Sequence, residues 1–334
     1  MSESVLALDY AAEAERIAQW IPQILANRLR KRGLVVAISG GIDSSVCAAL
    51  AVKALGPKKV FGLLLPERDS SGTSSNRGQE LAEHLGIAYE TQDIAPALEA
   101  LGCYRQRDDA IRSVVPAYTD EWKSKIVIAG GIDGGINYFR LVAEDPQGVR
   151  QEHRLALAAY LQIVAATNYK QRIRKSVEYF HADRLNYAVT GTPNRLEYDQ
   201  GFFVRNGDGS ADLKPIAHLY KTQVYAMASY LDLPKAIVSA VPTTDTYTLA
   251  QGQDEFYFAL PYKQMDLALW ALNHDRSAAE LAKLIGTTEA GAQRVFDDIR
   301  NKRRATRALH AAAELVEPVL GALDVAGHDA ASGI

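Results

Sequence analysis

Leu34-Val35-Val36-Ala37-Ile38-Ser39-Gly40-Gly41-Ile42-Asp43-Ser44-Ser45 passes from an unbroken apolar run, through two glycines, to an acid and two serines. Five consecutive apolar residues rich in branched side chains read as a strand buried on both faces, the kind found in parallel sheets. Ser39-Gly40-Gly41 reads as a tight loop, and residues 44–55 as an Ala-rich helix stopped by Gly56-Pro57. Such a turn favours an anion. Glycine lets backbone approach a ligand closely, and the first N–H groups of a helix point outward without partners. The helix dipole adds partial positive charge at that end. Ser39, Ser44 and Ser45 can donate hydroxyl hydrogen bonds to phosphate oxygens. Asp43 would repel phosphate unless a divalent cation lay between them, so it reads as a Mg²⁺ ligand. Neither the Gly-x4-Gly-Lys-Ser/Thr loop nor Gly-x-Gly-x-x-Gly occurs at this turn.

The same alternation continues outward. Residues 10–31 carry apolar side chains at three- and four-residue spacing, the helical period, with a kink expected at Pro22. Val60–Leu65 reads as a second buried strand and Ile87–Ile94 as a third strand, separated by a helix over 74–85 that Ser74 or Ser75 would cap. Pro96 opens another helix. Residues 154–166 and 170–181 read as two helices, Leu185–Val189 as a strand, and the chain beyond 220 as helices over 220–231, 262–273, 277–285 and 288–312. Alternating strands and helices predict an α/β fold with a mostly parallel, doubly wound sheet. Gly40-Gly41-Ile42-Asp43 recurs as Gly130-Gly131-Ile132-Asp133. The alternating run that follows the second copy makes it a hairpin turn between roughly 125–129 and 136–142.

Composition narrows the class. The chain has 334 residues, 48% hydrophobic and 23% charged, which suits a globular enzyme and not a disordered chain. Thirty-seven basic residues against 40 acidic ones give a net charge of −3, which argues against a nucleic-acid surface. Cys47 and Cys103 are the two cysteines, with no Cys-x-x-Cys pair, so neither a disulfide framework nor a cysteine zinc site is expected. No apolar run is long enough to span a bilayer, and Met1–Tyr10 lacks a signal pattern, so a cytoplasmic protein is expected. His84, His181 and His218 show no metal spacing and read as structural, and Cys47 as a small buried hydrophobe.

Ser-Gly-Gly-x-Asp-Ser after a first strand resembles the pyrophosphatase-loop family of ATP-dependent adenylating enzymes. Further along, Gly191-Thr192, then Glu197, then Gly201-Phe202-Phe203 and Gly207-Asp208-Gly209-Ser210-Ala211-Asp212 resemble the NAD synthetase signature. Leu213–Val224, Val241-Pro242-Thr243-Thr244-Asp245 and Asn168-Tyr169-Lys170-Gln171-Arg172 are similar to the same family. The resemblance covers about residues 30–95 and 150–305. It implies an adenine nucleotide alpha-hydrolase-like fold and ATP-dependent amidation of deamido-NAD to NAD, with release of AMP and pyrophosphate. It also implies these roles: Asp43 and Glu197 on Mg²⁺; Ser39, Gly40, Gly41, Asp43, Ser44, Ser45, Thr192, Lys221 and Thr243 on ATP; Arg172, Arg205, Asp212 and Lys302 on deamido-NAD. A homodimer is implied as well.

Three departures leave the acceptor open. Residues 103–150 look like an insertion into a single domain spanning 1–322, with 323–334 as a tail. Pro193-Asn194-Arg195-Leu196 stands where the family has Asp-His-Ala-Ala. Residues 245–262 are more aromatic than the family's acidic loop. A different carboxylate acceptor is the alternative reading, and a tRNA-modifying pyrophosphatase a further one. About 33 residues precede the first strand, too few for the nitrilase-like domain of glutamine-dependent relatives, so free ammonia is the expected nitrogen donor.

Overall fold

Asp9 starts the chain's first helix by accepting the Ala11 and Ala12 amides on its carboxylate, at 3.1 and 3.0 Å. The computed structural model describes residues 5–70, 72–129, 138–240, 247–249, 257 and 260–317. Helix α1 (Tyr10–Ile24) buries Ala14, Ile17, Ala18 and Ile21 along one stripe. It carries Pro22 without a break, and the irregularity falls later, in a π turn over Leu25–Leu29. Strand β1 (Leu34–Ala37) leads into α2 (Ile42–Leu55), then β2 (Val60–Leu64), α3 (Gly72–His84), β3 (Ala88–Thr91) and α4 (Ala95–Ala100). Helix α3 begins before Ser74 and Ser75, which therefore lie in its first turn and not at its cap.

Next come α5 (Cys103–Arg112), strands β4 (Lys123–Ala129), β5 (Tyr138–Glu144) and β6 (Arg150–Arg154), then α6 (Leu157–Leu185) and β7 (Ala188–Val189). The predicted hairpin is present as the antiparallel β4–β5 pair; the repeated glycine turn itself lies outside the described residues. Strand β6 gave no sequence signal because Arg-Gln-Glu-His-Arg is polar throughout and pairs only at a sheet edge. Helix α6 is one element of 29 residues and not two. Thr167 turns its hydroxyl back onto the Ile163 carbonyl at 3.0 Å, and Lys170 is anchored from outside, so the weak helix formers at 167–169 are held in the helix. After α7 (Arg195–Gln200), α8 (Lys221–Tyr230) and α9 (Lys235–Val238), the chain ends in α10 (Tyr262–Asn273), α11 (Ala278–Ile285) and α12 (Glu289–His310).

The main sheet is parallel, in the order β3-β2-β1-β7, with a bridge from Thr190 to Leu213 beyond β7. Alternation along β1 divides the core. Leu34 and Val36 pack with α1, α2 and α8 on one face, while Val35 packs with α4, α5 and α6 on the other. The small sheet β4-β5-β6 forms its own cluster with the ends of α5 and α6, and α10–α12 form a helical cluster beside α7. From β1 the chain first moves to β2 on one side and later returns to β7 on the other. The carboxyl ends of β1 and β7 therefore flank the point where strand order reverses, the place where such sheets bind ligands.

A buried charge network fixes the exit of β2. Lys170 of α6 contacts Glu67 at 2.9 Å and Asp69 at 2.7 Å, and Arg107 of α5 contacts Asp69 at 2.5 Å. Tyr104 donates its hydroxyl to Glu67 at 2.9 Å. Burial works against charge on Asp69, but Lys170 and Arg107 outweigh it and hold the carboxyl down to about 2. Removing one partner of such a network strands the others. Lys170→Ala is expected to cost about 3–5 kcal/mol of folding stability in urea titration; a loss below about 1 kcal/mol would show that the network is not under strain from burial.

Candidate active site

Two neighbouring strand ends deliver the site. From β1, Gly40 turns with φ +75°, and a Cβ there would meet the Ser74 carbonyl oxygen at 2.3 Å, so only glycine fits. Gly41 caps α2 and places Asp43 in its first turn. From β7, Asn194 caps α7: its side chain accepts the Leu196 and Glu197 amides, and its own amide N–H donates to Glu197 Oε2 at 3.1 Å. Asn194 Nδ2 also donates to Asp43 Oδ1 at 3.0 Å. One asparagine thus holds both carboxylates.

Lys221 completes the cluster from the start of α8. Its Nζ donates to Asp43 Oδ2 at 2.5 Å, and the side chain is 1% exposed. Burial pushes its ammonium towards neutrality, but Asp43 and Glu197 outweigh that and raise it instead. Its backbone is fixed as well. Asp266 of α10, fully buried, accepts the Lys221 amide at 3.2 Å, the Thr222 amide at 2.8 Å and the Thr222 hydroxyl at 2.7 Å. These are the outward N–H groups of a helix start, satisfied by an acid on another helix.

The cluster lies in the wall of a cavity of about 820 Å³. Ser39, Gly40, Gly41, Asp43, Ser44, Thr192, Glu197, Lys221, Arg172, Arg205 and Lys302 all line it. Ser45 does not: it is fully buried and donates to the Gly41 carbonyl at 2.8 Å, bracing the loop from behind. Asp212 sits at the end of β7, where it accepts the Val189 amide at 2.7 Å. Thr243 lies outside the described residues. Arg205 reaches the Ala308 carbonyl at 3.1 Å and so holds the end of α12, while Arg172 donates to the Arg205 carbonyl at 3.3 Å. Lys302 donates to Asp298 at 2.6 Å; burial, opposed by Asp298, lowers its ammonium pKa. Cys47 lies behind the loop, its thiol pushed well up by burial and then by Asp43 and Glu197, an inert packing residue.

Sequence reasoning passed over four further features. Asn194 was legible as a cap, since Asn followed three residues later by Glu is a capping-box pattern. Lys175 and Glu178 form a buried pair at 2.7 Å in the cavity wall, and burial raises the Glu178 carboxyl despite Lys175. Asp208, also lining, accepts the Val204 amide at 2.7 Å and is likewise raised by burial. Asp266 gave no signal, because its partners lie 44 and 45 residues away.

Burial raises the Asp266 carboxyl to about 6, against the hydrogen bonds of Thr222 and Lys221. A carboxyl raised on folding keeps its proton in the folded chain while the unfolded chain loses it. Its contribution to stability is therefore full below about pH 4 and is lost as pH rises through about 6. Wild type should lose up to roughly 1 kcal/mol per pH unit across that window relative to Asp266→Asn, read from melting curves. A constant difference between the two proteins would contradict this.

Comparison with known proteins agrees with the geometry. The family model described as NAD synthase matches residues 13–118 and 143–307. The chain is 54% identical over 320 residues to the NH(3)-dependent NAD(+) synthetase of Rhizobium rhizogenes, covering 96% of each. It is 36% identical over 258 residues to the enzyme of that name from Thermotoga neapolitana, covering 75% of this chain and 80% of the relative. Two solved structures share the fold: NH3-dependent NAD synthetase from Campylobacter jejuni (TM-score 0.61, 22% identity, 93% of this chain and 100% of that one) and NMN synthetase from Francisella tularensis (TM-score 0.64, 23% identity, 92% and 99%).

Proposed function

The chain belongs to the NAD synthase family, and from that premise we propose that it amidates deamido-NAD to NAD with ATP and ammonia, by way of an adenylated carboxylate. The observation that carries the reading is the Asp43–Asn194–Glu197–Lys221 cluster at the ends of β1 and β7, opening on a cavity large enough for nucleotides. A carboxylate is a poor acyl donor. Attack of its oxygen on the α-phosphorus of ATP expels pyrophosphate and gives the acyl carbon a good leaving group. Ammonia then displaces AMP, and no side-chain nucleophile is needed.

The residues have these roles. The amides and hydroxyls of Ser39–Ser44 hold the departing pyrophosphate. Lys221, kept charged by Asp43 and Glu197, faces the charge that develops on the α-phosphate, the electrostatic contribution that dominates such transfers. Asp43 and Glu197 suit Mg²⁺: one asparagine holds both hard oxygen donors, and Mg²⁺ takes one or two carboxylates beside substrate phosphates. When bound, the ion neutralises phosphate charge. Thr192 completes the nucleotide wall, and Arg172, Arg205 and Lys302 line the acceptor's part of the cavity.

The chain reads as one domain over 1–322 with 103–150 as an inserted subdomain; residues 119–142 fall between the two stretches matched by the family model. For a homodimer, the opening of α6 offers Leu157 and Leu161, one turn apart and exposed at 71% and 53%. No helix among the described residues is long and apolar enough to cross a membrane, in keeping with a cytoplasmic enzyme.

Purified protein given deamido-NAD, ATP, Mg²⁺ and ammonium should yield NAD with equal AMP and pyrophosphate. ADP as the spent nucleotide, or AMP release only with another carboxylate, would overturn the assignment. Asp43→Asn, which keeps the Asn194 contact but leaves the buried Lys221 ammonium without its partner charge, should lower the melting temperature and, in protein shown by circular dichroism to be folded at the assay temperature, lower kcat/KM at least about 100-fold. Near-normal turnover would remove Asp43 from the reaction.

A further inference from the structure

Helix α7 carries Glu197 but is too short to hold it in place alone. It has six residues, and an isolated helix of that length is unstable in water. The Asn194 cap fixes its start. Its last turn is fastened from α12, by residues that take no part in the cavity wall.

Glu197 lines the cavity, whereas Asp199, two residues on and about 200° round the helix, turns to α12. Arg303 of α12 donates from Nε to Asp199 Oδ1 at 2.6 Å and from Nη2 to Asp199 Oδ2 at 2.8 Å, a two-point grip on one carboxylate. The same Nη2 donates to Asn273 Oδ1 at 2.6 Å, at the end of α10. Lys302 and Arg303 are neighbours in sequence, yet Lys302 lines the cavity and Arg303 faces the back of α7.

Backbone contact follows the same line. Helix α7 ends at Gly201 with φ +72°, and a Cβ there would meet the Thr306 Cβ at 2.3 Å. The Thr306 hydroxyl reaches the Gln200 carbonyl at 3.2 Å, and the Tyr257 hydroxyl donates to the same oxygen at 2.7 Å. Arg303 and Thr306 stand three residues apart, on one face of α12.

The grip matters because small rotations are amplified. A carboxylate some 5 Å from a helix axis moves about 1 Å for every 10° of rotation. Mg²⁺ demands near-ideal geometry at about 2.0–2.1 Å, so a shift of that size spoils coordination. A planar guanidinium fork resists such rotation; an ammonium, being a point charge, does not. With Arg303 34% exposed, the pair adds little to stability, so its loss reports on placement and not on folding.

Resting on the reaction proposed above, we propose that Arg303 is a positioning residue: by gripping Asp199 it sets the rotation of α7, and with it the approach of Glu197 to the divalent cation on ATP.

The test uses Arg303→Met, which keeps an apolar stem without donors, Arg303→Lys, which keeps charge without the fork, and Asp199→Asn. Arg303→Met should raise the Mg²⁺ concentration for half-maximal NAD formation roughly tenfold. It should weaken binding of Mn²⁺–ATP by a similar factor, followed without acceptor by water-proton relaxation, and leave KM for deamido-NAD unchanged. Arg303→Lys should recover only part of the loss. Asp199→Asn should match Arg303→Met, and the double variant should be no worse than either. Unchanged Mn²⁺–ATP binding, an equal fall in turnover at every Mg²⁺ concentration, full recovery by Arg303→Lys, or additive losses would overturn the grip. If Arg303→Met fails to fold, Asp199→Asn carries the same two measurements. Wild type that binds Mn²⁺–ATP but forms no NAD overturns the functional reading, and the grip is still judged by Mn²⁺–ATP binding. Wild type that forms NAD, with Arg303→Met binding Mn²⁺–ATP equally well, overturns the grip alone.

Discussion

A lysine ammonium buried against an aspartate governs this site. Lys221 has almost no contact with solvent and would be driven towards neutrality were Asp43 and Glu197 not beside it. An unpaired buried charge is among the costliest defects in a folded chain, so the three groups must stay together. That requirement locks three elements at the sheet's switch point: α2 brings Asp43, α7 brings Asn194 and Glu197, and α8 brings Lys221. Asp266 then holds the backbone of α8 from α10. Charge is thereby placed before substrate arrives, which is how a site stabilises developing charge without reorganising during the reaction.

Helix α6 is the second organising element. At its middle, Lys170 ties it to Glu67 and Asp69 at the exit of β2. Its following turns pack across the main sheet, and its opening turns join the small sheet through Phe139 and Tyr160. One rigid rod therefore spans both ends of the cavity. Arg205 performs a related task on the far side, holding the end of α12 so that Lys302, Thr306 and Leu309 form a wall.

The parts of this arrangement that depend on neighbouring residues were legible in the sequence. An apolar run, two glycines and an acid specify β1, its turn and the start of α2, and the resemblance placed Glu197 and Lys221 near them. Long-range placement was less legible. Ser44 and Ser45 look equivalent as letters, but adjacent helical residues point about 100° apart, so one faces the cavity and its neighbour the core. Asp212 looks like part of a glycine-acid motif, yet it closes the end of β7. Strand β6 has no apolar alternation to betray it, and α6 runs through residues of weak helical preference because Lys170 is anchored elsewhere. Asn194 looked like a departure from pattern and proved to be the residue that joins both carboxylates.

Oxygen transfer tests the central claim most directly. Deamido-NAD labelled with ¹⁸O in its carboxyl group is turned over with unlabelled ATP and ammonium, and the nucleotide product is weighed by mass spectrometry. If the carboxylate attacks the α-phosphorus while the Ser39–Ser44 loop holds the leaving pyrophosphate and Lys221 faces the α-phosphate, each AMP carries one labelled oxygen and pyrophosphate carries none. Label in phosphate or pyrophosphate, or unlabelled AMP, would contradict the account.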